Sequence, residues 1–286
     1  MPRVALAVAS IGHLVPRTDF ACKVHSVFAH ACNFEYDDAL LTLVTPRGGD
    51  GPTTLVLHCD PADDLCALFE VGEALNCRDG TGQARRAAFH FGDARIWRPI
   101  ARRACVAQAG IAAHLQFAAA RLARVRQTRS SVIDREGAAA VAALARACRA
   151  LDRDETLRRV DQLIGWGEGL TPAGDDFLVG WLAGLDGLAH GGDGRRHYLN
   201  ELGPAVTARG FRTTPIAAHF LRLAALGHYN DSLACLRDAL LSEEHADLLS
   251  AALDAALEIG ATSGADIVSG LLSALAAWLP AGPSAP

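Results

Sequence analysis

Residues 165–185 read GWGEGLTPAGDDFLVGWLAGL, and the fold of the second half of the chain turns on them. Glycines stand at 165, 167 and 169, Thr171-Pro172 follows, then the acidic pair Asp175-Asp176, then an apolar run. Thr171 suits an N-cap, and Pro172 suits the first helical position, where its missing N–H costs nothing. The stretch predicts a helix from Pro172 to about Leu188, with both aspartates in or near its first turns. Asp176, Gly180 and Gly184 recur every four residues, so one helix face is acidic at its start and almost bare afterwards. Phe177 and Trp181 point elsewhere. A bare face lets another backbone approach closely. A glycine-rich turn feeding a helix N-terminus exposes N–H groups at the positive end of the dipole, an arrangement suited to an anion. The plainer alternative is that the acids only complement the dipole and the glycines only permit the turn.

Further along, GATSGADIVSGLL (260–272) repeats this grammar. Gly264-x-Asp266-x-x-x-Gly270 has the offsets of Gly174-x-Asp176-x-x-x-Gly180, and hydroxyls precede both, Thr171 in one and Thr262 and Ser263 in the other. A match of this kind arises easily in a chain rich in glycine and alanine. Thr214-Pro215 supplies a third helix start, with Arg212 just outside it. Three helix N-termini are therefore expected to converge on one pocket for a phosphate or carboxylate. Its substrate-binding residues would be Gly169, Thr171, Gly174, Arg212, Thr213, Thr214, Ser263 and Gly264, with Arg212 pairing the anion in bidentate fashion. Asp175, Asp176 and Asp266 are the candidate catalytic residues. Asp175 and Asp176 are also the candidate ligands of Mg2+, which takes one or two protein carboxylates together with phosphate oxygens. Asp266 reads equally well as a simple helix cap. His219 is either a general base or a core histidine of an apolar helix. His30 and Asn33 are weaker candidates, and Trp166 and Trp181 read as packing.

The first hundred residues have a different texture. Val4 to Ile11 is a strand or a short helix, and Lys23 to Phe34 suits either. Ala39 to Thr45 is a better strand. Residues 46–52 (PRGGDGP) form a turn, and Thr53 to Cys59 reads as the returning strand of a hairpin. Pro61 to Val71 has a weak helical rhythm, Asn76 to Gly82 reads as a loop, and Phe89 to Ile100 as a strand. From 101 onward, Ala-rich segments at about 101–127 and 136–151 favour helix, separated by a break at 130–134. Further helices are expected at 154–164, 197–209, 215–227, 231–240, 243–259 and 265–278. The fold class is α+β: a β-rich barrel- or sandwich-like domain at 1–100, a helical domain at 101–280 carrying the glycine and aspartate motifs, and a tail at 281–286.

Composition excludes several classes. The net charge is −5 over 286 residues, which gives no basis for nucleic-acid binding. The arginines at 121, 124, 126, 129 and 135 read as a solvated helix face and its exit. The eight cysteines show no CxxC pair and no zinc-like spacing. No leader is visible and no apolar run is long enough to span a bilayer, so a cytoplasmic chain with no membrane partner is expected.

The stretch at 165–185 resembles the G-x-G-x-G-L-T-P-[SA]-G-D-D-F-L-x-G signature of the DUF2877 family, and the likeness extends to RTTPIAAHFLRLAALG (212–227) and to 260–272. Trp166 and Glu168 stand where the family more often has an aliphatic residue and Pro, and Ala265 where Trp is usual. The resemblance implies the third subunit of bacterial oxamate carbamoyltransferase, in anaerobic allantoin degradation. Its partners would be an acyl-CoA-synthetase-like protein of the FdrA type and a DUF1116 protein. The implied reaction moves a carbamoyl group between oxalurate and phosphate, giving oxamate and carbamoyl phosphate. The alternatives are a non-catalytic scaffold or regulatory subunit, a broader acyl or carboxyl transferase, and, less supported by the residues, a free-standing magnesium-dependent hydrolase.

Overall fold

The structure, a computed structural model, describes residues 3–99, 108–129, 131, 133, 136–189, 194–242 and 246–279. The chain divides into two compact units, residues 1–100 and 101–286. The first holds strands β1 (Val4–Gly12), β2 (Phe20–Phe28), β3 (Ala31–Tyr36), β4 (Ala39–Val44), β5 (Thr54–Leu57), β6 (Ala74–Arg78), β7 (Thr81–Gln83), β8 (Ala87–His90) and β9 (Arg95–Trp97). The described part of the second holds helices α1 (Gln108–Arg126), α2 (Ala138–Arg149), α3 (Arg153–Leu163), α4 (Ala173–Leu188), α5 (Arg195–Thr207), α6 (Pro215–Ala225), α7 (Asp231–Leu240), α8 (Ala246–Leu257) and α9 (Ser263–Trp278). The α+β class holds, with the strands first and the helices after.

The first unit is a barrel and not a sandwich. Strands β5, β4, β3, β2, β6, β7, β8 and β1 lie side by side in that order, and β1 closes the ring by pairing antiparallel with β5. β9 continues the parallel pairing along β1 where β8 leaves off. Alternate residues fill the interior: Val24, Phe34, Leu43, Leu55, Leu57, Leu75 and Phe89 are all buried. Phe34 stacks on Phe89 with ring centroids 5.7 Å apart.

Several local expectations are corrected here. Lys23 to Phe34 is neither one strand nor a helix: β2 and β3 form an antiparallel hairpin that turns at residues 29–30. Asn76 to Gly82 is not a loop but the β6–β7 hairpin, turning on Asp79-Gly80, both at positive φ (48° and 70°). An Asp-Gly pair with both residues left-handed is the turn that matches strand twist, so this signal lay in the residues. Thr53 to Cys59 does not return from β4 as a hairpin. β5 runs parallel to β4, because the link 45–53 carries the chain back before β5 begins and β1 supplies the antiparallel partner. Residues 61–71 contain only a short 3-10 turn, Leu65–Ala67. The expected strand at 89–100 is two short ones, β8 and β9.

In the second unit, α4 is the central helix. Phe177, Leu178, Trp181, Leu182, Ala183 and Leu185 are fully buried, and α9 packs along it more extensively than any other helix does. The two helices cross at their glycines. A Cβ at Gly180 would lie 1.8 Å from the Ile267 carbonyl oxygen, and one at Gly270 would lie 1.9 Å from the Phe177 carbonyl oxygen. Each helix thus presses a glycine onto the other's backbone, as the narrow face of the sequence implies. No helix among the described residues is long and apolar enough to cross a membrane.

Candidate functional site

The turn before α4 needs its glycines. Gly165, Gly167 and Gly169 all have positive φ (72°, 118° and 92°), a region that residues with a Cβ rarely occupy. The helix starts one residue later than expected. Pro172, not Thr171, takes the cap position, since it is the Pro172 carbonyl that receives the Asp175 and Asp176 N–H groups, at 2.9 and 3.1 Å. The start of α9 is built the same way: the Thr262 carbonyl receives the N–H groups of Ala265 and Asp266, at 3.0 and 3.2 Å. Gly174 N–H reaches back to the Trp166 carbonyl and Gly264 N–H to that of Ile259, both at 2.8 Å. Those two amides are therefore satisfied within the chain.

The two helix starts meet. Thr171 Oγ1 and Ser263 Oγ are 3.1 Å apart, so a hydroxyl freed from capping in one motif bonds a hydroxyl of the other. The start of α6 joins them through the turn. Thr214 caps α6 by accepting Ala217 N–H at 3.1 Å, and its hydroxyl donates to the Leu170 carbonyl.

The three aspartates are all buried, at 1%, 6% and 0% exposure for Asp175, Asp176 and Asp266, and their surroundings differ. Asp175 is a clamp. Its Oδ1 accepts Gly165 N–H at 3.0 Å and its Oδ2 accepts the Thr213 hydroxyl, which ties the start of the glycine turn and the segment before α6 to α4. Burial still raises its carboxyl above the usual range, against those two bonds. Asp266 meets the guanidinium of Arg126 from α1 at 2.8 Å. Among the described residues, no cation stands beside Asp176. Burial pushes its carboxyl up to about 7, with Asp266 and Asp175 adding to the rise and the hydroxyls of Ser263 and Thr171 opposing it. Its Oδ2 is buried without a hydrogen-bond partner among the described residues.

Arg212 sits at the edge, engaged with Asp161 of α3: Nη1 bonds its carboxylate and Nη2 its backbone carbonyl at 3.0 Å, while Arg209 bonds the same carboxylate at 2.8 Å. His219 is buried on α6, 3.2 Å from Arg222, and burial lowers its imidazole to about 4, so it is neutral at pH 7. Asn33 is buried in the barrel unit between Ser26 and Thr42, and His30 faces the Asp63 carbonyl there. Trp181 is fully buried in the helical core.

Arg126 is the residue that sequence reasoning missed. Its side chain is 11% exposed, so it is not part of a solvated face. The available signal was Asp266 itself, an acid inside an otherwise apolar helix, which needs a cation when buried. No group of three or more His, Cys, Asp or Glu residues among the described residues is gathered as metal ligands would be.

A β-barrel unit followed by a helical unit, with two glycine-faced helices that bring acidic N-termini together, defines a two-part α+β protein with a small polar site at a helix crossing. The chain belongs to the AllH family: the profile of the oxamate carbamoyltransferase subunit AllH matches residues 163–275, and that of the AllH family N-terminal domain matches residues 6–96. Between them they span both units and every residue of the site except Arg126. No curated protein and no solved structure matches the chain.

Proposed function

We propose that this chain contributes, to a carbamoyl-transferring complex, the site that holds a small anionic substrate at the N-termini of α4 and α9. Family membership supports a carbamoyltransferase subunit. The observation that carries the finer reading is the meeting of two helix starts through Thr171 and Ser263. Helix N-termini favour anions, and the N–H groups of Gly169, Leu170, Thr171 and Ala173 have no partner among the described residues. Those donors suit the carboxylate of oxamate or the phosphate of carbamoyl phosphate. Donors fixed in advance also stabilise charge on a transferring carbamoyl group. In this reading Asp175 holds the turn, Arg126 fixes Asp266, and Asp176 faces the substrate. Mg2+, if the reaction uses it, arrives bound to substrate phosphate. The complex works in the cytoplasm, with FdrA-type and DUF1116-type subunits as its other chains.

Two measurements test this. A thermal-shift series with oxamate, carbamoyl phosphate and phosphate, with and without Mg2+, should raise the melting temperature, because a ligand that binds only the folded state stabilises it. In the assembled complex, Asp176→Asn should lower carbamoyl exchange while the subunits still co-purify; unchanged exchange would leave this chain without a catalytic site. The second reading, a scaffold, draws on Phe211 and Leu170, which are 85% and 50% exposed beside the site. It predicts that Phe211→Ser breaks assembly and that Asp176→Asn does nothing.

A further inference from the structure

Asp176 has one oxygen that the chain does not use. The residue is 6% exposed, and its Oδ2 is buried with no hydrogen-bond partner among the described residues. Its acidic neighbours are answered within the chain, Asp175 by Gly165 N–H and the Thr213 hydroxyl, Asp266 by Arg126. A buried acceptor left unmatched is costly, and a ligand that supplies the missing donor recovers that cost. Thr171 and Ser263, whose hydroxyls bear on this carboxyl, are only half-buried, so it lies one hydroxyl layer below the surface.

The same place therefore holds two kinds of group. The turn at 169–173 offers N–H donors, which fit oxygen. Asp176 Oδ2 is an acceptor, which fits N–H. A carboxylate, an acetyl group or a fully ionised phosphate brings only acceptors. A carbamoyl or primary amide group brings both, an oxygen and an –NH2 on one carbon.

We propose that Asp176 selects for a carbamoyl or primary amide group, its Oδ2 accepting a hydrogen bond from the –NH2 while the N–H groups of the 169–173 turn hold the oxygens. The proposal rests on the reading that the substrate lies at these helix N-termini, and it adds a specificity-determining residue to that site. It also explains why an acid is buried here without a cation. An arginine or lysine would fill Oδ2 permanently and leave nothing for a neutral –NH2. Among the described residues, the other helices packed on α4 bring no competing cation: Arg195 and Arg196 of α5 bond the Trp278 carbonyl and Asp186, Arg237 of α7 bonds Asp186 at the far end, Arg158 and Arg159 of α3 bond Glu155, and Arg222 of α6 bonds His219, while Arg209 and Arg212 pair with Asp161.

The test compares ligands that differ only in the –NH2. Oxamate and pyruvate are one such pair, with methyl replacing amino; carbamoyl phosphate and acetyl phosphate are another. Titration calorimetry on the full chain at about pH 8.5, where the Asp176 carboxyl is ionised, should show oxamate binding about 10- to 100-fold more tightly than pyruvate, the worth of a hydrogen bond to a charged acceptor. Asp176→Ala should bring that ratio close to 1. If that variant does not fold, the isosteric Asp176→Asn, which replaces one acceptor by a donor, should cut the ratio several-fold. Equal binding of oxamate and pyruvate by the unaltered chain, or a ratio that survives in a folded Asp176 variant, overturns the proposal and leaves the anion site standing. Failure of all four ligands to bind removes the site reading and this inference with it.

Discussion

Gly180→Ala tests the helix crossing on which the site depends. The new Cβ would lie 1.8 Å from the Ile267 carbonyl oxygen, where ordinary contact is at least 3.4 Å. The obstacle is helix backbone, which cannot rotate aside as a side-chain tip can. The helices must therefore part by about 1.5 Å at this point, more than enough to forfeit a quarter to a half of the dispersion between neighbouring atoms. Those neighbours, Phe177, Trp181, Val268 and Leu271, are all fully buried. Overpacking costs about 1–3 kcal/mol when side chains can adjust. A backbone clash belongs at the top of that range, so we predict a loss of about 3 kcal/mol. At roughly 2–4 °C per kcal/mol for a domain of this size, the melting temperature of the helical unit should fall by about 6–12 °C by far-UV circular dichroism. Gly270→Ala, whose Cβ meets the Phe177 carbonyl oxygen at 1.9 Å, should cost the same. The double variant should cost less than the sum by about 1 kcal/mol, because the first Cβ already opens the gap the second needs. Gly169→Ala is the control: it has φ +92° with nothing within 4 Å of its Cβ, so it pays only backbone strain of about 1–2 kcal/mol. A Gly180→Ala chain melting within about 2 °C of the unaltered one would refute the close crossing.

Other outcomes follow from the three aspartates and His219. Asp175→Ala leaves Gly165 N–H and the Thr213 hydroxyl without their acceptor and should cost about 2–3 kcal/mol in chemical denaturation. Arg126→Ala strands a buried carboxylate and should cost about 3–5 kcal/mol; adding Asp266→Asn should recover part of it, and no recovery would show that the charge is not what matters. Asp176 has a folded value of about 7 against 3.8 unfolded, so the folded chain holds the extra proton in between. Its contribution to stability is therefore lost as pH rises from about 4 to about 7, by about 1.4 kcal/mol per pH unit, and Asp176→Asn should flatten that part of the profile. His219 acts at the acid end. Its value falls from 6.5 to about 4 on folding, so stability present above pH 6.5 is lost as pH falls toward 4, and His219→Gln should remove that limb.

The division into strands and helices could be read from the residues because each half has a strong local signal: alternating apolar residues before 100, long alanine-rich runs after it. Barrel closure could not. It depends on β1 meeting β5 across some fifty residues of chain, and no local pattern names that partner. The parallel run of β5 beside β4 was hidden for the same reason, since a turn-rich link looks alike whichever way the next strand points. In the site, the offsets of Gly174, Asp176 and Gly180 from Gly264, Asp266 and Gly270 were visible, and so was the narrow face. Which hydrogen bonds each acid makes was not. Asp175 and Asp176 are adjacent and chemically identical, yet one is held by two donors and the other keeps an unmatched oxygen, because they project from α4 about 100° apart. Arg126 was obscured by its neighbours: nothing in the spacing of that arginine-rich run marks Arg126 as turning inward.

The matching offsets in the two motifs follow from the geometry of the crossing. Gly180 lies against Ile267, three residues before Gly270, and Gly270 lies against Phe177, three residues before Gly180. A contact of that form is self-reciprocal, as across a local two-fold axis between α4 and α9. It requires a residue without a Cβ at both crossing points, and it places the residue one turn earlier, Asp176 on one helix and Asp266 on the other, at equivalent positions beside the crossing. Symmetry of backbone would make these two acids interchangeable, and simple dipole capping would need no more than that. One side chain breaks the equivalence: Arg126 reaches Asp266, and among the described residues no cation reaches Asp176. Two like acids in a shared dry space cannot both keep a bare charge, so giving a cation to one leaves the other to hold a proton or to be matched by a ligand that donates to it. That is the physical ground for the proposal that the substrate lies at Asp176 and not at Asp266. It also fixes the order of effects for the pair: Asp266→Asn should be felt mainly in stability, through the abandoned Arg126, and Asp176→Asn mainly in ligand choice. Calorimetric binding and denaturation on the same two variants would show the reverse order if the asymmetry had no functional meaning.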